Sequence, residues 1–248
     1  MKIQSLGPQD SIGAVLAQTY NLPGKIISKG TFVTNEIVAY FKTGNVKTIL
    51  CAVPEEGDIH EDEAAEAISS AIDKNHIYAD KASTGRVNFK SQSLCLVRYE
   101  RDFIKKVNLV DESIAFSIVE HNQLLAEGDL IATLKIIPFF MQKKYVDRVI
   151  KILAKDELFK IHSLKKKEVI LIQTCFEWQK KSIFTATSNV TKARLEALGC
   201  SLNKEKLISH DYDTLRSAIR SSIKNGPEIL LISGASAITD RSDYIPKA

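Results

Sequence analysis

No apolar run in this chain approaches the roughly 20 residues that a membrane-spanning helix needs, and the first residues hold no apolar signal core. A cytoplasmic protein without a membrane partner is the expectation. Cysteine is sparse. Cys51, Cys95, Cys175 and Cys200 lie too far apart for a zinc knuckle or a redox pair. Cys51 and Cys175 sit in or beside apolar runs, where a free thiol behaves as a small hydrophobe. His60, His76, His121, His162 and His210 show no metal-ligand spacing, and there is no internal repeat or low-complexity tract. Charge of one sign is lacking as well. Against 34 basic residues stand 30 acidic ones, and a net charge of +4 suits an anionic small ligand but does not argue for nucleic acid. What the chain does have is core-forming material. Hydrophobic residues make up 44% and charged ones 26%, the balance of a globular protein, and 248 residues allow one large domain or two ordinary ones.

From Lys165 onward the pattern is regular. Val169 to Gln173 reads as a buried strand. Thr187, Ser188 and Asn189 offer N-caps for a helix over Val190 to Leu198, with Val190, Ala193, Ala197 and Leu198 on its apolar face and Gly199 as its stop. A second strand falls within Ser201 to Ser209. Asp213 then caps a helix with the stripe Leu215, Ala218, Ile219 and Ile223, ended by Asn225-Gly226-Pro227. Glu228 to Ile232 is the third strand. Strands alternating with helices over short connections imply a parallel sheet, whose ligands gather at the carboxyl ends of the strands.

The first half is less regular. Thr34 or Asn35 starts a helix carrying Ile37, Val38 and Phe41, and a strand follows at Val46 to Val53. Glu61 to Glu63 open a second helix and favour its dipole. Leu94 to Val97, Ser113 to Val119 and Leu130 to Ile137 read as strands, and Gln142 to Ala154 as a helix that buries Val146, Val149, Ile150 and Leu153.

Three loops meet at the expected carboxyl edge. The first holds Thr174, then Thr185, Thr187, Ser188 and Asn189. The second is Ser209-His210-Asp211, and the third runs from Gly234 to Asp243. Hydroxyls and backbone N–H groups there suit phosphate oxygens. The carboxylates of Asp211 and Asp243 suit Mg²⁺ or the amino groups of a heterocycle. Each piece also has a plainer role. Ser188 and Asn189 read equally as caps, Asp211 as a turn residue, Asp243 as the cap of a terminal helix, His210 as a surface residue, and Gly234 as a tight turn that takes a positive φ.

The tail Ser233-Gly234-Ala235-Ser236-Ala237-Ile238-Thr239-Asp240-Arg241-Ser242-Asp243-Tyr244-Ile245-Pro246 resembles the pterin-binding loop of molybdenum cofactor biosynthesis proteins. Val190 to Gly199 and His210 to Leu215 resemble the first helix and the acidic turn of the same domain. Lys29-Gly30-Thr31, Asn35 to Gly44, Glu61 to Ala65, Thr84 to Asn88 and Gly128 to Pro138 extend the likeness to bacterial molybdopterin-binding proteins related to molybdopterin molybdotransferase. The chain departs from that pattern in its third loop, which has one glycine, and in Thr185-Ala186-Thr187, where relatives carry Asp-Lys-Thr.

The resemblance implies an α/β protein with a mixed α+β N-terminal domain over 1–160. A three-layer α/β/α molybdopterin-binding domain with a mostly parallel sheet then spans 165–248 and is incomplete at its C-terminus. It implies a transferase-like role in cofactor biosynthesis: binding molybdopterin or its adenylylated form, with Mg²⁺, and inserting the substrate molybdate into the dithiolene. Gly234, Ala235 and Ser236 would bind the phosphate through backbone N–H groups, with Thr174 beside them. Thr187 and Ser188 would add donors, and Asp211 and Asp243 would carry the metal or pterin contacts and the chemistry. The implied partners are the pterin phosphate and a molybdoenzyme or another cofactor-biosynthesis protein. A bare strand edge on the incomplete sheet would favour a homodimer. A non-catalytic pterin-binding or sensing module is the alternative, and the altered first loop favours it.

Overall fold

In the computed structural model the chain divides into two compact units, Met1–Ser163 and Leu164–Ala248. The structure describes residues 1–155, 158–224 and 226–248. Asn225, expected as part of a helix stop, lies outside them. The architecture is mixed α/β. Most sheets are antiparallel, and the one parallel sheet among the described residues belongs to the second unit. Among the described residues no helix is long and apolar enough to cross a membrane.

The first unit is built on a four-stranded antiparallel sheet in the order Ile114–Ile118, Leu130–Ile136, Arg86–Ser91, Ile77–Ala79. Along Arg86–Ser91 the residues Val87, Phe89 and Ser91 are buried and their neighbours are not, the period-two pattern of a sheet with one face on the core. The helices Glu61–Ser70 and Lys143–Leu153 cover that core through Ala64, Ala65, Ile68, Val146, Val149 and Leu153. A smaller core gathers Leu16, Ile27, Val38, Phe41 and Ile49 around the helix Asn35–Thr43, whose N-cap is Thr34. Two tight places hold this unit together. Gly85, at φ +68°, donates its N–H to Asp62 Oδ1 at 2.6 Å. Beside it, Lys135 Nζ reaches the buried Glu61 carboxylate at 3.0 Å.

The second unit has three parallel strands. Glu168–Cys175 is central, with Ser201–Ser209 on one side and Ile229–Ser233 on the other. The central strand is buried from Val169 to Thr174, as expected of a parallel strand covered on both faces. Ile170 and Ile172 pack on Leu215 and Ala218 of the helix Tyr212–Ile223, with Ile245 against the same cluster. On the opposite face Gln173 Nε2 donates to Phe184 O at 3.2 Å and to Ser188 Oγ at 2.9 Å, both in the helix Lys181–Ala197.

The structure corrects four local expectations. The long helix begins at Lys181, so Thr187, Ser188 and Asn189 lie inside it and cap nothing. Its interior tolerates threonines because Thr185 and Thr187 donate their hydroxyls to the carbonyls of Lys181 and Ile183, 3.4 and 3.0 Å away. The earlier start also turns the helix. Leu195 is buried and Phe184 half-buried, while the expected stripe faces outward, with Val190 49% and Leu198 42% exposed. On the next helix the N-cap is Asp211 rather than Asp213, and Ser222 is buried where Ile223 was expected.

Candidate functional site at the carboxyl edge of the parallel sheet

Parallel register places the ends of all three strands at one edge. Thr174 stands opposite Ile208, and Gln173 opposite Ser233. The loops that leave those strands converge on His210. Thr174 Oγ1 lies 2.8 Å from His210 Nδ1 and accepts the Ala235 N–H at 2.9 Å. Ser236 Oγ lies 3.3 Å from His210 Nε2. The His210 N–H donates to Cys175 O at 2.9 Å, which ties the second loop to the central strand. Gln179 braces the first loop, accepting the Phe176 N–H at 2.8 Å and reaching Ala235 O at 3.5 Å.

Aromatic rings surround this polar chain. Phe176 meets the imidazole edge-on at 4.8 Å, and Tyr244 approaches it at 5.4 Å. Phe176 is in turn stacked on Trp178, centroids 5.6 Å apart and planes 9° from parallel. Trp178 is 78% exposed, so one face of this stack is open to a flat ligand. Beside Tyr244 lies a pocket of about 290 Å³ lined by Tyr212, Ser242, Asp243, Tyr244 and Lys247. Lys247 Nζ sits 5.6 Å from the Tyr212 ring centre, a cation–π contact that sets the ammonium beside the site.

The expected site residues separate into those the structure gathers and those it does not. Thr174, Ala235 and Ser236 are brought together around His210. Gly234 adjoins them, but its φ is not positive; a Cβ there would push aside the end of the Ile245 side chain and stand 3.0 Å from Ser236 O. The Ala235 N–H is taken by Thr174, so it is not an open phosphate donor. Thr187 and Ser188 lie along the long helix. Thr187 donates to Ile183 O, and Ser188 binds Gln173 and Glu205.

Asp211 and Asp243 serve their own loops. Asp211 Oδ1 accepts the Thr214 N–H at 2.9 Å, and that backbone bond holds the carboxyl below the usual carboxylate range. Asp243 Oδ2 accepts the backbone N–H and hydroxyl of Thr239 and the N–H of Asp240. The Thr239 backbone bond, then that of Asp240, holds its carboxyl low as well. Among the described residues no group of three or more His, Cys, Asp or Glu is placed to hold a metal.

His210 was placed in the second loop with a surface residue as its plainer reading, and its part as the meeting point of the three loops was missed. No spacing rule joins it to Thr174 and Ser236; the signal was its place directly after the second parallel strand. No protein-family model matches the chain, and no curated protein is found to be similar to it.

Proposed function

We propose that the second unit binds a phosphorylated pterin, molybdopterin or its adenylylated form, in the service of molybdenum cofactor biosynthesis. On this reading the three strands and their helices are the core of a three-layer α/β/α molybdopterin-binding domain. One observation carries the reading: three loops of hydroxyl, imidazole and aromatic groups converge on His210 at the carboxyl edge of a parallel sheet, where α/β folds bind phosphorylated ligands. The family likeness of the tail 233–246 supplies the identity of the ligand. The Phe176–Trp178 stack supplies a flat surface for a ring, and the hydroxyls around His210 supply donors for the phosphate.

Non-catalytic binding or sensing is favoured over molybdate insertion. One oxygen of each of the Asp211 and Asp243 carboxylates already holds its own loop through backbone N–H groups, which favours a structural part over a metal ligand. The test uses Trp178, the only tryptophan in the chain. Titration with molybdopterin should quench its fluorescence saturably. A parallel incubation of the adenylylated form with molybdate reads insertion, and its absence alongside binding separates the sensing role from the transferase role. No fluorescence change and no binding by calorimetry would remove the pterin reading.

A further inference from the structure

The contacts at the carboxyl edge have the outline of a serine–histidine–hydroxyl relay, running from Ser236 Oγ through His210 to Thr174 Oγ1. Two opposite polarities fit that outline. In one, Nδ1–H donates to Thr174, and Nε2 is a bare base that takes the Ser236 proton, as for a nucleophilic serine. In the other, Thr174 donates to Nδ1, and Nε2–H points at Ser236. The hydrogens at Thr174 decide between them. Thr174 is 1% exposed, so bulk water does not serve its hydroxyl proton. The Ala235 N–H occupies a lone pair of the oxygen and accepts nothing. Among the described residues, His210 Nδ1 is the one acceptor within reach of that proton. With a protonated Nδ1, the buried hydroxyl proton would go unpaired, which native interiors rarely tolerate.

We propose that the Thr174 hydroxyl fixes neutral His210 as its Nε2–H tautomer, so that His210 donates to Ser236 and Ser236 donates to a phosphate-monoester oxygen, a donor chain rather than a base and its nucleophile. This rests on the reading of the edge as a phosphate site. Nε2–H donates to Ser236 Oγ, and the exposed Ser236 is left with its own proton to give outward. Of the charged groups close by, the Asp211 carboxylate is turned to the Thr214 N–H, and the Lys247 ammonium lines the adjoining pocket. Thr174 is thus a positioning residue that acts through the imidazole.

Long-range proton–nitrogen NMR of the full chain, at a pH where His210 is neutral, reads the tautomer with no ligand present. The expected spectrum has a protonated Nε2 and a bare Nδ1, retained in Thr174→Ser and lost to a mixture in Thr174→Val. A protonated Nδ1 in the unaltered chain overturns the proposal even if the edge binds phosphate. Added inorganic phosphate should then shift the His210 Nε2 resonance, and Ser236→Ala should weaken that binding roughly tenfold. Phosphate that binds the second unit without moving the His210 resonance overturns the donor role. If phosphate perturbs nothing in the unit, the phosphate reading of the edge fails and the donor role falls with it. Covalent labelling of Ser236 by a serine-directed phosphonate would also overturn the proposal, since it reports a base-activated hydroxyl.

Discussion

Gly85 shows how much can hang on a single absent methyl group. A Cβ at that position would stand against the Glu61 carboxylate, 2.6 Å from Ile136 O and 2.9 Å from Lys135 Nζ, on a backbone at φ +68°. Gly85→Ala therefore strains the backbone and splits the Glu61–Lys135 pair together. It should cost about 2–4 kcal/mol, read as a lower urea midpoint with an unchanged slope. Ser222 is the opposite case. Its hydroxyl is fully buried and has no hydrogen-bond partner among the described residues. Ser222→Ala removes an unsatisfied group from a helix and improves helix propensity, so the chain should gain about 1 kcal/mol by the same denaturation. Gly234 and Ser236 differ in the same spirit. Gly234→Val displaces the end of the Ile245 side chain and crowds Ser236 O, so it should weaken ligand binding and loosen the terminal turn, whereas Ser236→Ala should leave the melting temperature unchanged.

At the scale of elements, the loop from Thr239 to Asp243 is held by one carboxylate. The Asp243 carboxyl lies below its ordinary value, so what it contributes is fully present above the unfolded value, about 3.9, and is lost as pH falls through the lower folded value. The Thr239 and Asp240 amide resonances should shift with a midpoint below the ordinary carboxylate range; a midpoint at or above that range would mean the bonds do not persist in solution.

Elements whose apolar period coincides with what buries them were legible in the sequence. The helices Asn35–Thr43, Glu61–Ser70 and Lys143–Leu153 and the parallel strands are of this kind. Arg86–Ser91 escapes because its alternation carries only two apolar residues, Val87 and Phe89, and its third buried position is a serine. Arg101–Asn108 escapes because it is short and mostly charged on its outer side. The start of the long helix was misplaced because Thr187, Ser188 and Asn189 have strong capping propensity in isolation. Here the hydrogen bonds from Gln173 of the central strand to Phe184 O and Ser188 Oγ override that propensity. The site was half legible. Thr174, His210, Ala235 and Ser236 all lay in the expected loops, but that they meet at the imidazole is set by strand register, which sequence spacing does not display.

At the scale of the whole molecule, the two units differ in what they bury. The first has an extended core through Ile68, Phe89, Val97, Leu134, Ile136 and Val149, while the core cluster of the second has Ile170, Ile172, Leu215 and Ala218 as its buried members. Amide hydrogen exchange should therefore show lower protection, and opening at lower free energy, for Glu168–Cys175 than for Leu130–Ile136. Equal protection of the two strands would show that core size does not set their relative stability. The order of strands carries a kinetic consequence as well. The central strand of the parallel sheet is the earliest of the three in the chain, and its partner on one side, Ile229, lies 60 residues beyond Val169. During synthesis Glu168–Cys175 emerges with neither neighbour, and it must wait for the long helix and then for a second helix before both its edges are paired. Each closure spends chain entropy before any contact repays it, so this unit belongs among the slow, high-contact-order folders. Until Ile229–Ser233 arrives, its most apolar segment is exposed to chaperones and to other nascent chains alike.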